Sequence, residues 1–365
     1  MSLILKNINI TSKRVLVAPL DWGLGHVTRC IPVIQQLINQ DFLVLIAAEG
    51  NSAHLLSQEF PNITILAIPG YKIFYTNKKF YFKIKLFGQI PKILRAIKHE
   101  HKWLKQIIEQ YKIDIVVSDN RYGLYNAKIK SIFITHQLAI VTGNFFTDWL
   151  VQKLNYKRIN RFDECWIPDQ EMPFNFAGKL SHPQLKPLIP TKYIGLLTRF
   201  KKETVEKNID LLVIISGPEP QRTALENILL LQMNIPAFKM VLVRGLPGVT
   251  NKIINENKAL KIYDHLPALQ LSKLIQSSKL VVARSGYSTI MDLVALQQKA
   301  ILIPTPGQTE QEYLAEYLAS KKYFVAAKQT GFNLVKEIKN LEKLELINIP
   351  WVENKTLENA IKQLK

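Results

Sequence analysis

One stretch of the chain, Val281 to Leu314, constrains the fold more than any other part of the sequence. The apolar run Leu280–Ala283 has the length of a buried strand, and a glycine-containing turn leads from it into a helix predicted from about Ser288. A second apolar run, Ala300–Pro304, precedes a polar loop and another predicted helix. Strand, helix, strand and helix in this order predict a parallel α/β unit.

Two polar clusters in this stretch follow the predicted strands directly. In open α/β sheets ligands bind beyond the carboxyl ends of the strands, and both clusters fall at that edge. The helix from Ser288 directs its positive end at the same place, which suits a diphosphate, and Asp292 lies one turn inside it, where a carboxylate can accept hydrogen bonds from sugar hydroxyls. The residues predicted to bind a ligand here are Arg284, Ser285, Gly286, Ser288, Asp292, Gln308, Gln311 and Glu312.

Length and charge limit the classes of protein that the chain can belong to. With 365 residues it has room for two domains, and a formal net charge of +19 favours an anionic partner such as nucleic acid, an anionic membrane or a nucleotide diphosphate. No element for reading nucleic acid is visible, so we do not expect that partner. The sequence shows no transmembrane run, no signal-peptide pattern and no metal or disulfide spacing between Cys30 and Cys165, which predicts a cytoplasmic protein.

Basic residues concentrate between Tyr71 and Lys112. This segment carries eleven lysines and arginines against Glu100 and Glu109, a balance of 11 − 2 = +9, and aromatic residues lie between them. A basic, aromatic-rich amphipathic segment can lie on an anionic membrane interface. The alternative is a solvated helix face over an ordinary core, and the sequence leaves both interpretations open.

The N-terminal half opens with a second strand, turn and helix. The apolar run Arg14–Pro19 leads to Gly23-Leu-Gly-His26, and a helix is predicted from about Val27. This turn lacks the third glycine of the dinucleotide-binding fingerprint. Two later predicted strands end in polar loops that begin at Asp119 and His136.

These motifs resemble glycosyltransferase family 28. The sequence RSGYSTIMD followed by IPTPGQTEQEYLA resembles its nucleotide-sugar-binding signature, and the turn that contains His26 resembles its first glycine-rich loop. The resemblance implies the α/β GT-B fold, with two Rossmann-like parallel-sheet domains facing a central cleft. We expect an acceptor-side domain over residues 1–185, a nucleotide-sugar domain over 186–345, and a C-terminal helix over 346–365 that packs back on the first domain.

The resemblance also implies a reaction. The expected activity is inverting, metal-independent transfer of a sugar from a UDP-sugar to a lipid-linked or other cell-surface glycan, without a cofactor. His26, Asp119 and His136 are the candidates for the general base, since something must take the proton of the acceptor hydroxyl. After His136, Gln137 replaces the acidic residue of the family motif.

Further donor contacts follow from the resemblance in both halves. The loop from Ser216 resembles the second glycine-rich loop, although Pro218 and Pro220 reduce the number of N–H groups that it offers. A nucleotide-sugar hydrolase or epimerase, or a non-catalytic nucleotide-sugar-binding protein, remains an alternative. The expected location is cytoplasmic, at or near the inner face of the cytoplasmic membrane. The additional residues expected to contact the donor are Gly23, Gly25, Arg199, Ser216, Gly217, Tyr263 and His265.

Overall fold

The computed structural model describes residues 12–71, 90–141, 144–235, 237–246, 256–257, 259–347 and 355–365. Residues 72–89 of the basic segment lie outside the described ranges. Within those ranges, no helix combines the length and the apolar character needed to cross a bilayer.

The first half of the chain forms a parallel sheet whose seven described strands have the order β3-β2-β1-β4-β5-β6-β7. Its central strands are continuous apolar runs because helices cover both faces of the sheet. The strands are β1 Arg14–Ala18, β2 Leu43–Ala47, β3 Ile65–Leu66, β4 Ile115–Asp119, β5 Lys130–Ile134, β6 Glu164–Ile167 and β7 Thr191–Tyr193.

Four described helices cover this sheet: α1 Leu24–Asn39, α2 Gly50–Glu59, α3 Ile90–Tyr111 and α4 Phe145–Ile159. The α1 side chains Val27 and Ile34 pack with Val15 and Val17 on one face of the sheet. Helices α3 and α4 bury their apolar sides in clusters formed with the alternate strand residues. Side chains of one strand alternate between faces, so α3 and α4 share the face opposite α1.

The second half forms another sheet, with the described order β10-β11-β9-β8-β12-β13-β14 and one antiparallel edge strand, β10. The strands are β8 Ile209–Ile214, β9 Met240–Val243, β10 Glu256–Asn257, β11 Leu260–Tyr263, β12 Ser278–Ala283, β13 Ala300–Leu302 and β14 Val325–Ala326. The helices are α5 Gln221–Leu230, α6 Ala268–Ser277, α7 Tyr287–Ala295, α8 Thr309–Ser320, α9 Leu334–Lys343 and α10 Lys355–Lys362. Two sheets with flanking helices confirm the predicted α/β class.

The end of the first sheet differs from the sequence-based expectation. The predicted boundary of the first domain is residue 185, but β7 pairs in parallel with β6, so the first sheet continues beyond that residue. This three-residue edge strand follows a proline-rich loop and carries no continuous apolar run that the sequence could reveal. At the C-terminus, α10 packs on α1, and the amide of Gln40 donates to the carbonyl of Glu358 over 3.0 Å.

The carboxyl edges of the two sheets meet. The hydroxyl of Ser288, at the start of α7, donates to the carbonyl of Gly25 over 2.9 Å. The hydroxyl of Tyr287 donates to the carbonyl of Pro168 over 2.8 Å. The loops that carry the predicted ligand contacts of both halves therefore face each other.

Candidate active site

His26 and Asp119 form a hydrogen-bonded pair at the edge of the first sheet. His26 lies in the first turn of α1, and Asp119 is the last residue of β4, the strand beside β1. The positive φ of Gly23, 92°, turns the chain from β1 into this helix, a backbone geometry that favours glycine. Nδ1 of His26 lies 2.8 Å from Oδ2 of Asp119. The fold therefore joins two residues that are 93 positions apart in the sequence.

The charge on this pair is controlled by Arg29, which lies one turn further along α1. Its Nε donates to Oδ1 of Asp119 over 2.9 Å, and both side chains are buried. Burial raises the pKa of Asp119, but Arg29 and His26 outweigh this and hold that pKa below its usual value. Burial, helped by Arg29, lowers the pKa of His26. At neutral pH the carboxyl is therefore ionised and the imidazole is neutral.

These charge states assign the proton of the imidazole. An ionised Asp119 can only accept, so we place the proton on Nδ1 of His26, where it is donated to the carboxylate. The Nη2 of Arg29 lies 2.8 Å from the same Nδ1 and donates to Oδ1 of Asp119 instead. Nε2 then carries the lone pair, and it has no hydrogen-bond partner among the described residues. His26 thus offers a free basic nitrogen beside the cleft.

His136 lies in the same cluster but has no free nitrogen. Arg29 approaches its Nδ1 to 3.2 Å, and its Nε2 lies 2.8 Å from Oε1 of Glu310. Its ring also stacks on Tyr287 at 4.3 Å between centroids. The other two predicted bases, His136 and Asp119, have partners for both of their polar side-chain atoms within the cluster. His26 is the remaining candidate.

Arg29 and Glu310 are site residues that the sequence interpretation missed. Arg29 shares a helix face with His26 through its three-residue spacing, a signal that was present in the sequence. Glu310 lies in the opposite half of the chain, at the start of α8, and reaches His136 across the interface. Only the packing of the two halves could identify it.

The start of α7 leaves open space beside the first sheet. A Cβ placed at Gly286 would meet no atom within 4 Å, whereas a Cβ at Gly25 would lie 3.0 Å from the hydroxyl oxygen of Ser288. Gly25 is therefore required for close approach of the two halves, and Gly286 leaves room in front of the helix. Ser285, by contrast, is buried and donates to the carbonyl of Gln311 over 2.8 Å.

Arg284, which the sequence predicts as a ligand-binding residue, donates to backbone carbonyls of two loops. Its side chain is buried beneath the loops, where it donates to the carbonyl of Gln221 over 2.8 Å and to that of Pro304 over 3.2 Å. Because Arg284 donates to carbonyls of two different loops, it fixes the position of one loop relative to the other. Its Nε is buried without a hydrogen-bond partner among the described residues, and its predicted contact with the donor stays a prediction.

The polar residues at the start of α8 support their own loop. Oε1 of Gln311 accepts from the N–H of Thr305 over 2.9 Å, and the Nε2 of Gln311 donates to the amide oxygen of Gln308 over 2.5 Å. Oε1 of Glu312 accepts from the N–H of Gly307 over 2.9 Å. These contacts hold the loop in shape, and the predicted contact of the three side chains with a ligand stays a prediction.

The loop after β8 contributes backbone geometry. Gly217, which follows Ser216, has φ of 108°, and a Cβ there would lie 3.9 Å from the hydroxyl oxygen of Thr305. That hydroxyl is buried and has no hydrogen-bond partner among the described residues. A buried hydroxyl without a protein partner is a position at which a water molecule or a polar ligand can supply the hydrogen bond.

A second cluster gathers around Asp292. Its Oδ1 accepts from the hydroxyl of Thr198 over 2.6 Å, and Arg199 pairs with Glu59 over 3.2 Å while it interacts electrostatically with Asp292. Burial raises the pKa of Asp292 to about 7. His265 belongs to the same cluster, because burial and then Arg199 lower its pKa. The structure thus brings together three predicted donor residues from separate segments of the chain: Arg199, His265 and, within α7, Asp292.

Tyr263, which the sequence predicts as a donor contact, ends β11, and its carbonyl accepts from the N–H of Arg244 over 2.8 Å. The carbonyl of Tyr263 therefore already has a partner in the sheet. The side chain of Tyr263 packs at the edge of the main hydrophobic core.

The raised pKa of Asp292 predicts a pH-dependent stability. Between about pH 4 and pH 7 the folded chain keeps a proton that the unfolded chain has lost, so the contribution of Asp292 to stability falls as pH rises through this window. The stability of Asp292→Asn relative to the parent protein should increase over the same window, by up to about 1.4 kcal/mol per pH unit. Denaturant unfolding of both proteins from pH 4.5 to pH 8 measures this difference, and a constant difference would contradict it.

Comparison with known proteins places the chain among sugar-transferring enzymes. Residues 237–364 match the glycosyltransferase family 28 C-terminal domain, and residues 14–158 match glycosyl transferase family 1. An uncharacterized glycosyltransferase of Methanosarcina acetivorans is 26% identical over 327 residues, which cover 82% of each chain. The UDP-N-acetylglucosamine--N-acetylmuramyl-(pentapeptide) pyrophosphoryl-undecaprenol N-acetylglucosamine transferase of Gloeothece citriformis is 23% identical over 358 residues, 93% of this chain and 89% of that one.

The solved structures agree with the fold. The crystal structure of MurG from Acinetobacter baumannii superposes with a TM-score of 0.57 at 15% identity, and the match covers 96% of this chain and 98% of that one. The match therefore extends over both halves of the chain.

Proposed function

This chain is a family 28-like glycosyltransferase with the GT-B fold, and on that premise we propose that it transfers a sugar from a UDP-sugar with inversion at the anomeric carbon. The observation that carries the proposal is the His26–Asp119 pair, with Nδ1 and Oδ2 2.8 Å apart and Nε2 of His26 free of described partners. Such a pair suits general-base catalysis, because the carboxylate orients the imidazole and stabilises its charged form.

The nucleotide sugar would bind on the second half of the chain. Gly286 leaves space before the N-terminus of α7, whose backbone N–H groups favour a diphosphate. The unpaired hydroxyl of Thr305 and the cation of Arg199 border the same loops. Asp292 would accept hydrogen bonds from the ribose hydroxyls, and the backbone after β11 would contact the base.

The acceptor hydroxyl would approach from the first half of the chain. Nε2 of His26 takes its proton as the oxygen attacks the anomeric carbon, and the bond from that carbon to the diphosphate oxygen breaks in the same displacement. A single displacement from the opposite side inverts the configuration. The helix N-terminus and Arg199 stabilise the departing charge without a metal ion. The names of the relatives support a lipid-linked glycan as the acceptor, and we propose this acceptor class.

Titration calorimetry with UDP, GDP and dTDP tests the donor site. We expect UDP to bind and Asp292→Ala to weaken binding at least about tenfold, because two ribose hydroxyls lose their hydrogen-bond acceptor. Asp210→Ala, which removes a carboxylate from the opposite edge of the second sheet, is the matched control and should leave the affinity unchanged. Binding of none of the three nucleotides would contradict the proposal. UDP binding without transfer, in the presence of EDTA and acceptor lipid extracts, would favour the non-catalytic alternative.

A further inference from the structure

Trp22 is exposed at the edge of the first sheet, close in sequence to the candidate base. It lies in the turn between β1 and α1, four residues before His26. Trp22 is 38% exposed, whereas Leu20 before the turn and Val27 after it are buried. The fold therefore covers the apolar side chains on both sides of this turn and leaves the indole open. An open aromatic ring at the edge that carries the candidate base is a surface on which a ligand can stack.

The indole is held in place by a neighbouring ring. The centroids of the Trp22 and Tyr71 rings lie 6.0 Å apart, and the two ring planes are nearly perpendicular, at 88°. Tyr71 is itself fixed, because it is buried and its hydroxyl donates to Oε2 of Glu100 over 2.7 Å. Tyr71 can cover no more than one face of the indole. The pair thus orients the Trp22 ring and leaves its other face for a further partner.

Asp21, the residue before Trp22, has one carboxylate oxygen that is bound and one that is not. Its Oδ2 accepts from the N–H of Tyr71 over 3.0 Å. Its Oδ1 is buried without a hydrogen-bond partner among the described residues, and the Nη2 of Arg121 lies 3.7 Å away, beyond hydrogen-bond distance. A buried carboxylate oxygen gains most from a group that donates a hydrogen bond to it. Oδ1 of Asp21 is therefore an acceptor available to a ligand.

A second carboxylate lies next to Asp21. Oε1 of Glu49, which follows β2, accepts from the N–H of Gly70 over 2.7 Å. A Cβ at Gly70 would collide with Oδ2 of Asp21 and lie 2.7 Å from Oε1 of Glu49, so the two carboxylates converge on this glycine. Arg121 does not neutralise both of them, because its Nη1 already binds Oε1 of Glu100 over 2.8 Å. This part of the edge therefore carries excess negative charge, although the whole chain has a net charge of +19.

The strand order places this group beside the candidate base. In the first sheet β3, β2, β1 and β4 are neighbours in that order, and His26 pairs with the end of β4. Asp21, Glu49 and Tyr71 follow β1, β2 and β3, on the other side of β1. Neighbouring strands lie about 4.8 Å apart, so His26 and the Asp21–Trp22 turn can contact neighbouring parts of one bound sugar.

We propose that Trp22 and Asp21 select an uncharged sugar ring as the acceptor. The proposal rests on the proposed function and specifies the part of the acceptor that enters the cleft. The indole stacks on the C–H face of this ring, and Oδ1 of Asp21 accepts a hydrogen bond from one of its hydroxyls. Another hydroxyl of the same ring faces Nε2 of His26 and attacks the donor. In a lipid-linked glycan, phosphate groups then stay outside this part of the cleft.

The charges around the turn favour an uncharged ring over an ionic group. A phosphate or a uronate would meet the carboxylates of Asp21 and Glu49, and like charges at short distance repel each other. An ammonium group would have to approach Oδ1 of Asp21 beside the guanidinium of Arg121. A sugar hydroxyl avoids both conflicts, because it donates to the carboxylate and carries no net charge. These two residues therefore act on the choice of acceptor and leave the choice of donor to the second half of the chain.

Fluorescence titration with octyl glycosides tests the stacking. Octyl glucoside, galactoside and mannoside, each below its micelle concentration, present an uncharged ring with three arrangements of hydroxyls. At least one should change the tryptophan fluorescence of the parent protein in a saturable manner, and Trp22→Phe should remove this change. Trp149→Phe, which changes an indole that is 50% exposed on α4, is the matched control and should retain it. No saturable change with any of the three, or an unaltered change in Trp22→Phe, would overturn the proposal.

Calorimetry measures how much the ring contributes to binding. Trp22→Ala should weaken binding of the glycoside that the parent protein binds most tightly by at least about tenfold, because the stacking surface is lost. Trp22→Tyr should recover much of this affinity, because it restores an aromatic face. The affinity for UDP should stay at the parent value in both variants, which also shows that they are folded. Equal glycoside affinity of Trp22→Ala and the parent protein would contradict the stacking.

A matched uronide tests the selection by charge. In this probe a carboxylate replaces the C6 hydroxyl group of the same octyl glycoside, and the parent protein should bind it more weakly than the uncharged form. Asp21→Asn should narrow this preference at least about fivefold, because it removes one of the repelling charges. Asp41→Asn, which changes an exposed carboxylate beyond the other end of α1, is the control and should keep the preference. An unchanged preference in Asp21→Asn, or tighter binding of the matching 2-amino glycoside than of the uncharged form, would overturn the proposal.

The same titrations separate this proposal from the proposed function, because glycoside binding requires no donor. Glycoside binding that depends on Trp22, without UDP binding, would refute the proposed donor and leave the acceptor selection standing. UDP binding together with glycoside binding that is independent of Trp22 and Asp21 would do the reverse.

Discussion

Replacing His26 with asparagine should lower the rate of sugar transfer about 10²–10⁴-fold, because the free Nε2 that takes the acceptor proton is lost. Asparagine can still donate a hydrogen bond toward Asp119, so the buried pair keeps a partner. The affinity for UDP should stay close to that of the parent protein, because His26 lies on the first half of the chain. Single-turnover transfer with saturating donor measures the change.

The pH dependence identifies the role of His26. Burial and Arg29 lower the pKa of this imidazole, so the basic form is complete at neutral pH and the parent rate should fall only as pH drops below about 6.5. The transfer rate of the His26→Asn variant should not show this decrease at acidic pH. His54→Asn, which changes an exposed histidine on α2, serves as the control. It should keep the parent transfer rate and the decrease of that rate at acidic pH. A His26 variant with parent-like transfer would refute the assignment of the base.

Replacing Asp119 with leucine should cost about 3–5 kcal/mol of unfolding free energy, because the buried guanidinium of Arg29 loses its carboxylate. Transfer should also fall, since His26 loses the group that orients it. Pairing the change with Arg29→Met should restore much of the lost stability, because no unpaired charge then remains inside. Denaturant unfolding of the two single variants and the double variant measures the coupling.

A surface ion pair supplies the comparison for this experiment. Asp210 pairs with the exposed Lys279 over 2.7 Å, and Asp210→Asn should change the unfolding free energy by no more than about 1 kcal/mol. Because the pKa of Asp119 is lowered, its contribution to the unfolding free energy should depend on pH. Its stabilising contribution is present above the unfolded pKa near 4 and is lost as pH falls below that value. An Asp119→Leu variant as stable as Asp210→Asn would show that the buried pair contributes little.

Sequence reasoning reached the fold through its apolar runs and tight turns. The strands β1, β2 and β12 appear as continuous apolar segments, and the glycines near His26 and Gly286 mark the turns into the following helices. Residues at the ends of buried strands fall at one edge by geometry, so His26, Asp119 and His136 could be predicted to lie together. The short edge strand β7 could not be predicted, because three residues carry too little pattern.

The roles within the site were harder to predict than its position. Arg284 and His136 look like ligand-binding residues in the sequence, yet the fold occupies the guanidinium with backbone carbonyls and both imidazole nitrogens with neighbouring side chains. The contact of Glu310 with His136 could be identified only from the folded structure, in which the two halves of the chain pack together. Residue type and strand-end position predict where chemistry is possible, but which polar atoms stay free depends on packing between segments distant in sequence.

The contact between His136 and Glu310 has a thermodynamic consequence. One chain of contacts runs from Glu310 through His136 and Arg29 to Asp119 and His26, so the second half of the molecule is linked to the orientation of the base. A donor that binds more tightly when the His136–Glu310 contact is formed also stabilises the orientation in which Nε2 of His26 takes the proton of the acceptor. By reciprocity, a bound acceptor must then raise the affinity for the donor by the same factor.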